Sequence, residues 1–408
     1  MEISRVVLLK VFMLKKKTWP IIALLLLAFF LRLILLPLPA FPIDMTDWIA
    51  WAEHLTRVGP GSFYTTVWSD YLPAYLYVLW FLAFIHRLIP QIPYEILMKL
   101  PATLADLALG FLIFKLVREE KSPKYALLAA GLFLFNPLTF FLSSVWGQID
   151  SFFALFLFLS VYFLIKKKEA LAFIFLAISF LIKPQVILFL PLFFLYLRSL
   201  KSALSLLVMF IITVFVLSLP FFPHDPIFGL AKLILKSAST YPYTSLFAMN
   251  FWGIFGTWKP DTTLFLNLSC QIWGLFFLAL GVILALVSFL RKKRLLALYL
   301  SSSLIILALF MLPTRVHERW LYPFFPFFLI LSAKLNNWKF WLIYALLSII
   351  NFLNLYFVYT YYTVNFLKIE QVANFVGRYF NWFSLLAVLI YGWLLVLSFK
   401  KEGRSEKN

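Results

Sequence analysis

Acidic residues are scarce in this chain, 17 against 36 lysines and arginines, so the places where they gather with other polar groups stand out. FPIDMTDW, residues 41–48, sets Asp44 and Asp47 beside Trp48 and Trp51. A carboxylate there either takes a proton as a general base or caps the helix that runs through WIAWAEHL. SDYLPAYLY, residues 69–77, puts Asp70 before Pro73, as a helix cap or as a polar contact to a ligand. In WGQID, residues 146–150, Gly147 permits a tight turn, while Gln148 and Asp150 face lipid headgroups or a polar ligand; a simple turn capped by Asp150 is the alternative. Lys183 of LIKP either snorkels to headgroups or binds phosphate. PTRVHERW, residues 313–320, packs Arg315, His317, Glu318 and Arg319 into one short segment. The planar fork of arginine suits a phosphate or pyrophosphate, a histidine can donate to a phosphate oxygen, and Glu318 can orient the cations. An ordinary solvated loop is the bland alternative. Asp106 sits inside an apolar segment with Arg32 or Lys99 as its partner, and His224 and Asp225 read as loop residues. A divalent cation, Mg or Mn, could assist Asp44, Asp47 or Asp150, although nothing in the spacing requires one.

These groups must be held by elements made almost wholly of apolar residues. The chain is 63% hydrophobic and 13% charged, about half the charge of a soluble domain. A membrane span needs about 20 mainly apolar residues. Twelve segments are expected to span: 18–36, 100–117, 125–144, 150–165, 170–183, 185–197, 203–220, 264–290, 295–312, 320–333, 340–357 and 382–399. A thirteenth apolar stretch, 71–89, is ambiguous, and the positive-inside rule decides it. If 71–89 stays out of the bilayer, 23 of the 36 cations fall on one side, including the RKKR of 291–294 and the tail after Lys400. If it crosses, those runs face outwards. We therefore expect an all-α, polytopic integral membrane protein with both termini cytoplasmic. Interfacial helices fill a first outer loop, 37–99, and all the motifs lie on or near the outer face.

The net charge of +19 does not imply nucleic acid, because the cations lie in short runs between apolar segments. The run from Trp19 to Leu36 is long for a signal-peptide core and lacks a clear cleavage site, so it reads as a retained span. One cysteine, Cys270, excludes an internal disulfide. No nucleotide-binding, zinc-protease or nucleophile-elbow pattern occurs.

Taken in order, the Asp after the first span, D-Y-x-P, W-G-Q-x-D-S, K-P and the late H-E-R resemble the GT-C superfamily of polyprenyl-phosphate-sugar-dependent glycosyltransferases. Within it the chain looks most like prokaryotic mannosyltransferase-like proteins related to the second mannosyltransferase of GPI-anchor synthesis. The resemblance implies a GT-C catalytic module over 1–335, with variable helices and a charged tail over 336–408. It implies that Asp44 is the catalytic acidic residue of the first outer loop, and that His317 and Glu318 face the donor phosphate. One departure is the single proline of SDYLPAY where relatives often carry D-Y-P-P.

The expected reaction moves a hexose, mannose by this resemblance, from a polyprenyl-phosphate sugar to a glycan or glycolipid acceptor with inversion. Asp44 serves as base; Arg315, His317, Glu318, Arg319 and Lys183 serve the phosphate; Asp47, Asp70, Gln148, Asp150 and Asp106 support. The rivals are a lipid or oligosaccharide flippase, a ligase with a diphosphate-linked donor, and an inactive assembly protein.

Overall fold

The computed structural model describes residues 2–197, 199–292 and 294–400. The charged tail 401–408, together with Arg198 and Lys293 of the basic runs, lies outside the described residues. Apart from a small antiparallel hairpin, Leu264–Phe265 with Leu268–Ser269, the regular elements are helical.

Every one of the twelve expected segments contains helix, but their lengths differ from the expectation. Six helices are long and apolar enough to cross a membrane: Tyr94–Arg118, Leu200–Ser218, Cys270–Leu290, Arg294–Met311, Trp338–Tyr362 and Phe380–Phe399. Pro123–Leu134 and Pro137–Trp146 would make a seventh, bent by 46°. The others are shorter: Trp19–Leu35, Asp150–Ile165, Glu169–Phe180 and Pro184–Leu197, with Phe324–Leu335. At 1.5 Å per residue a 12-residue helix reaches about 18 Å, well short of the roughly 30 Å hydrocarbon core. Twelve membrane crossings are therefore an expectation that the fold leaves open. Burial separates the centre of the bundle from its rim. Of the apolar window of Arg294–Met311, 78% is buried, against 11% for Leu200–Ser218.

Proline and asparagine punctuate the helices where the site is built. Asn136 ends one helix and caps the next through its side chain, which accepts from the Leu138 amide at 3.1 Å, and Pro137 supplies a preset first turn. That helix passes into a π-turn, Phe141–Trp146, in which the amides of Gly147 and Gln148 both reach Leu142 O.

The first loop folds as three helices, Pro42–Val58, Pro60–Thr66 and Pro73–Leu88, each opened by its proline. Their N-caps are Phe41, Gly59 and Leu72, without side-chain cap bonds. Asp44, Asp47 and Asp70 therefore cap nothing. Asp150 begins its helix with no capping bond either. Asp225 does cap, accepting from the Phe228 amide at 3.3 Å, which gives it the structural role expected.

Candidate active site

Asp44 lies in the first turn of Pro42–Val58, and the turn at 146–148 reaches over to hold it. Its Oδ2 accepts from Trp146 Nε1 at 3.0 Å and from Gln148 Nε2 at 2.7 Å. Two neutral donors thus fix one oxygen and leave Oδ1 facing Arg319 Nη2 at 3.9 Å. Gln148 is itself held, because its Oε1 accepts the Ile149 amide at 2.7 Å. The turn depends on Gly147, whose φ of 89° is a left-handed conformation that residues with a side chain adopt only at a cost.

Arg319 is the hub. Its Nη1 donates to Glu318 Oε1 at 2.9 Å, and its Nε lies 3.8 Å from Asp150 Oδ2. Asp150 in turn pairs through Oδ1 with Lys183, while Oδ2 is buried without a hydrogen bond. Lys183 also lies over the faces of Phe153 and Trp320, 5.6 and 6.0 Å from the ring centroids. Burial, then the charges of Arg319 and Lys183, push the His317 imidazole well below its ordinary value. His317 is therefore neutral at pH 7, a hydrogen-bonding group rather than a third cation. Burial raises the Asp70 carboxyl to about 6, with Arg319 opposing and Asp44 and Asp47 adding to the rise.

Two cavities share this wall. The first, about 130 Å³, exposes Asp44, Asp47 and Glu318 among the rings of Trp48, Trp51 and Trp68. The second, about 310 Å³, carries Lys183, Arg315, Arg319 and Gln185. Asp70, Tyr71, Tyr241, His317 and Arg319 line both. A narrow apolar slot between Phe153, Leu157, Phe189 and Ile306 adjoins the second cavity, sharing Lys183, Gln185, Leu309 and Trp320 with it. An acidic aromatic chamber and a cationic chamber with an apolar extension thus meet at Arg319.

The fold supplies partners to two of the expected residues. Arg315 lines the cationic cavity, and three of its five N–H donors are engaged within the protein. Nε and Nη2 reach the fully buried Asp261 at 2.7 and 3.4 Å, and Nη1 donates to Ala238 O at 2.5 Å. Its amide donates to Tyr243 O, and its φ is +65°. Arg315 latches the 238–261 loop to the motif loop while it lines the cationic cavity. Asp261 carried no sequence signal, since only the fold brings it 54 positions back to Arg315.

Asp106, expected to pair with Arg32 or Lys99 and to support the site, lies beneath both chambers. It is fully buried and reaches neither chamber. Arg32 Nη2 meets its Oδ2 at 3.0 Å, Ser143 Oγ donates to the same oxygen at 2.7 Å, and the Tyr322 hydroxyl donates to Oδ1. Of the two partners considered for it, Arg32 is the one chosen; Lys99 instead donates to Leu36 O and Leu38 O at 2.9 and 2.5 Å. An ion pair inside an apolar bundle is costly unless fully satisfied. This one ties the π-turn that aims Trp146 to the turn that aims Arg319.

The residues form no ready-made divalent-ion cage. Among the described residues no three His, Cys, Asp or Glu side chains converge to hold one. Asp150 is committed to Lys183, and Asp44 Oδ2 to two N–H donors.

The fold and site define a polytopic, all-α membrane protein whose polar cleft sets carboxylates against phosphate-type cations. Residues 68–313 match the model of glycosyltransferase family 87, which spans more than half of the chain. The protein belongs to glycosyltransferase family 87. No curated protein matches it. Among solved structures it is similar to the crystal structure of ArnT from Cupriavidus metallidurans bound to undecaprenyl phosphate, with 14% identity and a TM-score of 0.49. That match covers 94% of this chain and 76% of the other.

Proposed function

We propose that the protein transfers a hexose, mannose by the motif resemblance, from a polyprenyl-phosphate sugar to a hydroxyl of a glycan or glycolipid, with inversion, on the non-cytoplasmic face. The lipid chain lies in the apolar slot and the phosphate in the cationic chamber, against Lys183 and Arg319. The acceptor enters the aromatic chamber, where tryptophan faces suit the apolar faces of a pyranose. Its hydroxyl oxygen attacks the anomeric carbon, the bond from that carbon to the phosphate oxygen breaks, and Asp44 takes the hydroxyl proton. The electron pair leaves on the phosphate as a lipid monophosphate, whose added charge is met by preplaced cations. His317, being neutral, contributes hydrogen bonds.

The observation that carries this reading is the position of Asp44 Oδ1. It is the carboxylate oxygen free of neutral donors, and it faces Arg319 at 3.9 Å, where the two chambers meet. A base beside the cation that would hold the leaving phosphate is the arrangement a one-step displacement needs.

The test is a purified Asp44→Asn variant supplied with polyprenyl-phosphate mannose and glucose and a panel of glycoside acceptors. Loss of the base should lower turnover by about 100-fold or more, with folding unchanged by thermal unfolding. The lipid released by the parent protein should be a monophosphate. Near-full activity in the folded variant overturns the base assignment, and release of a diphosphate points to the ligase chemistry instead.

A further inference from the structure

Gln185 stands where the cationic chamber runs into the apolar slot, and it lines both. It lies two residues beyond Lys183, in the tight turn Pro184–Phe189. Its Oε1 is buried and has no hydrogen-bond partner. A buried amide oxygen left without a partner is unfavourable, and native structures rarely tolerate one without a reason. Asp150, whose Oδ2 is likewise unpartnered, lines the same slot, together with the apolar side chains of Phe153, Val186 and Phe189. The chain thus builds a polar amide into a lipid-like groove and gives it nothing of its own to bind.

We infer that Gln185 binds the lipid-linked donor at the point where the prenyl chain gives way to the phosphate. The amide N–H donates to a phosphate oxygen, and Oε1 accepts from a hydroxyl of the attached sugar. Lys183 supplies charge to the same group without direction, since an ammonium is a point charge; the planar amide supplies direction. It also needs both phosphate and sugar to be fully satisfied, which favours the loaded donor over the spent lipid phosphate. This inference rests on the donor class proposed above.

The experiment measures steady-state kinetics with a polyprenyl-phosphate hexose, and binding of the sugar-free polyprenyl phosphate, for the parent protein, Gln185→Leu and Gln185→Glu. Gln185→Leu should raise the donor KM about tenfold, the worth of one or two hydrogen bonds, and leave the acceptor KM unchanged. Its binding of sugar-free polyprenyl phosphate should weaken less than its binding of the loaded donor. Gln185→Glu keeps the shape but adds a charge that repels phosphate, so its donor KM should rise further. Thermal unfolding checks that both variants fold, and either folded variant suffices. An unchanged donor KM, or donor and acceptor KM rising together, overturns the inference while leaving the donor class intact. A parent protein that neither uses nor binds any polyprenyl-phosphate compound overturns both.

Discussion

At the scale of single residues, the site works by giving each ionisable group a different amount of water and a different neighbour. Asp44 keeps one oxygen pinned and one free. Asp70 lies between the chambers, and burial has pushed its carboxyl up to about 6 from an ordinary 3.8. The folded protein therefore holds that proton more tightly than the unfolded chain does. The associated stability is complete below about pH 4 and fades as the pH rises through 6. The full shift corresponds to on the order of 3 kcal/mol, of which a group bordering a polar cavity realises only part. Asp70→Asn cannot ionise, so its melting temperature should exceed that of the parent at pH 7.5, and the gap should close towards pH 4.5. Thermal unfolding across that range decides it; a gap independent of pH would show that ionisation of Asp70 costs the fold nothing.

At the scale of elements, the site is two turns clamped over one helix start. The turn at 146–148 carries Trp146 and Gln148, and the turn at 318–321 carries Glu318 and Arg319. Both are tied beneath to Asp106, through Ser143 and Tyr322. The weak point of this clamp is Gly147. A Cβ there would lie 3.0 Å from Lys99 Cγ and 3.1 Å from Met45 Cε, in a backbone conformation that costs a substituted residue about 1–2 kcal/mol. Relief would move Trp146 and Gln148 away from Asp44. Gly147→Ala should thus lose about that much stability and, because small misplacements of reacting groups are expensive, about tenfold or more in turnover. A variant that unfolds earlier but turns over at the parent rate would separate the turn from the base.

At the scale of the whole molecule, the distribution of charge predicts an orientation. Lysine and arginine runs at 118–124, 166–168 and 291–294 fall on the face opposite the motifs under the positive-inside rule. A cysteine-free background made by replacing Cys270 would allow single cysteines to report sidedness. A membrane-impermeant thiol reagent applied to intact cells should label Lys232→Cys, in the Pro226–Ser239 helix, and spare Lys168→Cys. The reverse pattern would turn the protein over and place the chemistry in the cytoplasm.

The apolar segments, the breaks between them and the identity of the polar motifs were legible from the sequence, because hydrophobic runs and scarce charges are local properties. The acidic loop, WGQID, Lys183 and HERW could be named as candidates, since charge beside a membrane is costly, and the fold brings them together. What the sequence could not convey was pairing at long range. The bonds of Arg315 to Asp261 and Ala238 exist only in the fold, and so does the choice of Arg32 over Lys99 for Asp106, with Ser143 and Tyr322 completing its enclosure. The capping roles of Asp44, Asp70 and Asp150 were equally plausible locally. They were decided by what lay across the fold, because a carboxylate goes to the strongest donors within reach, and only the tertiary structure determines which donors those are.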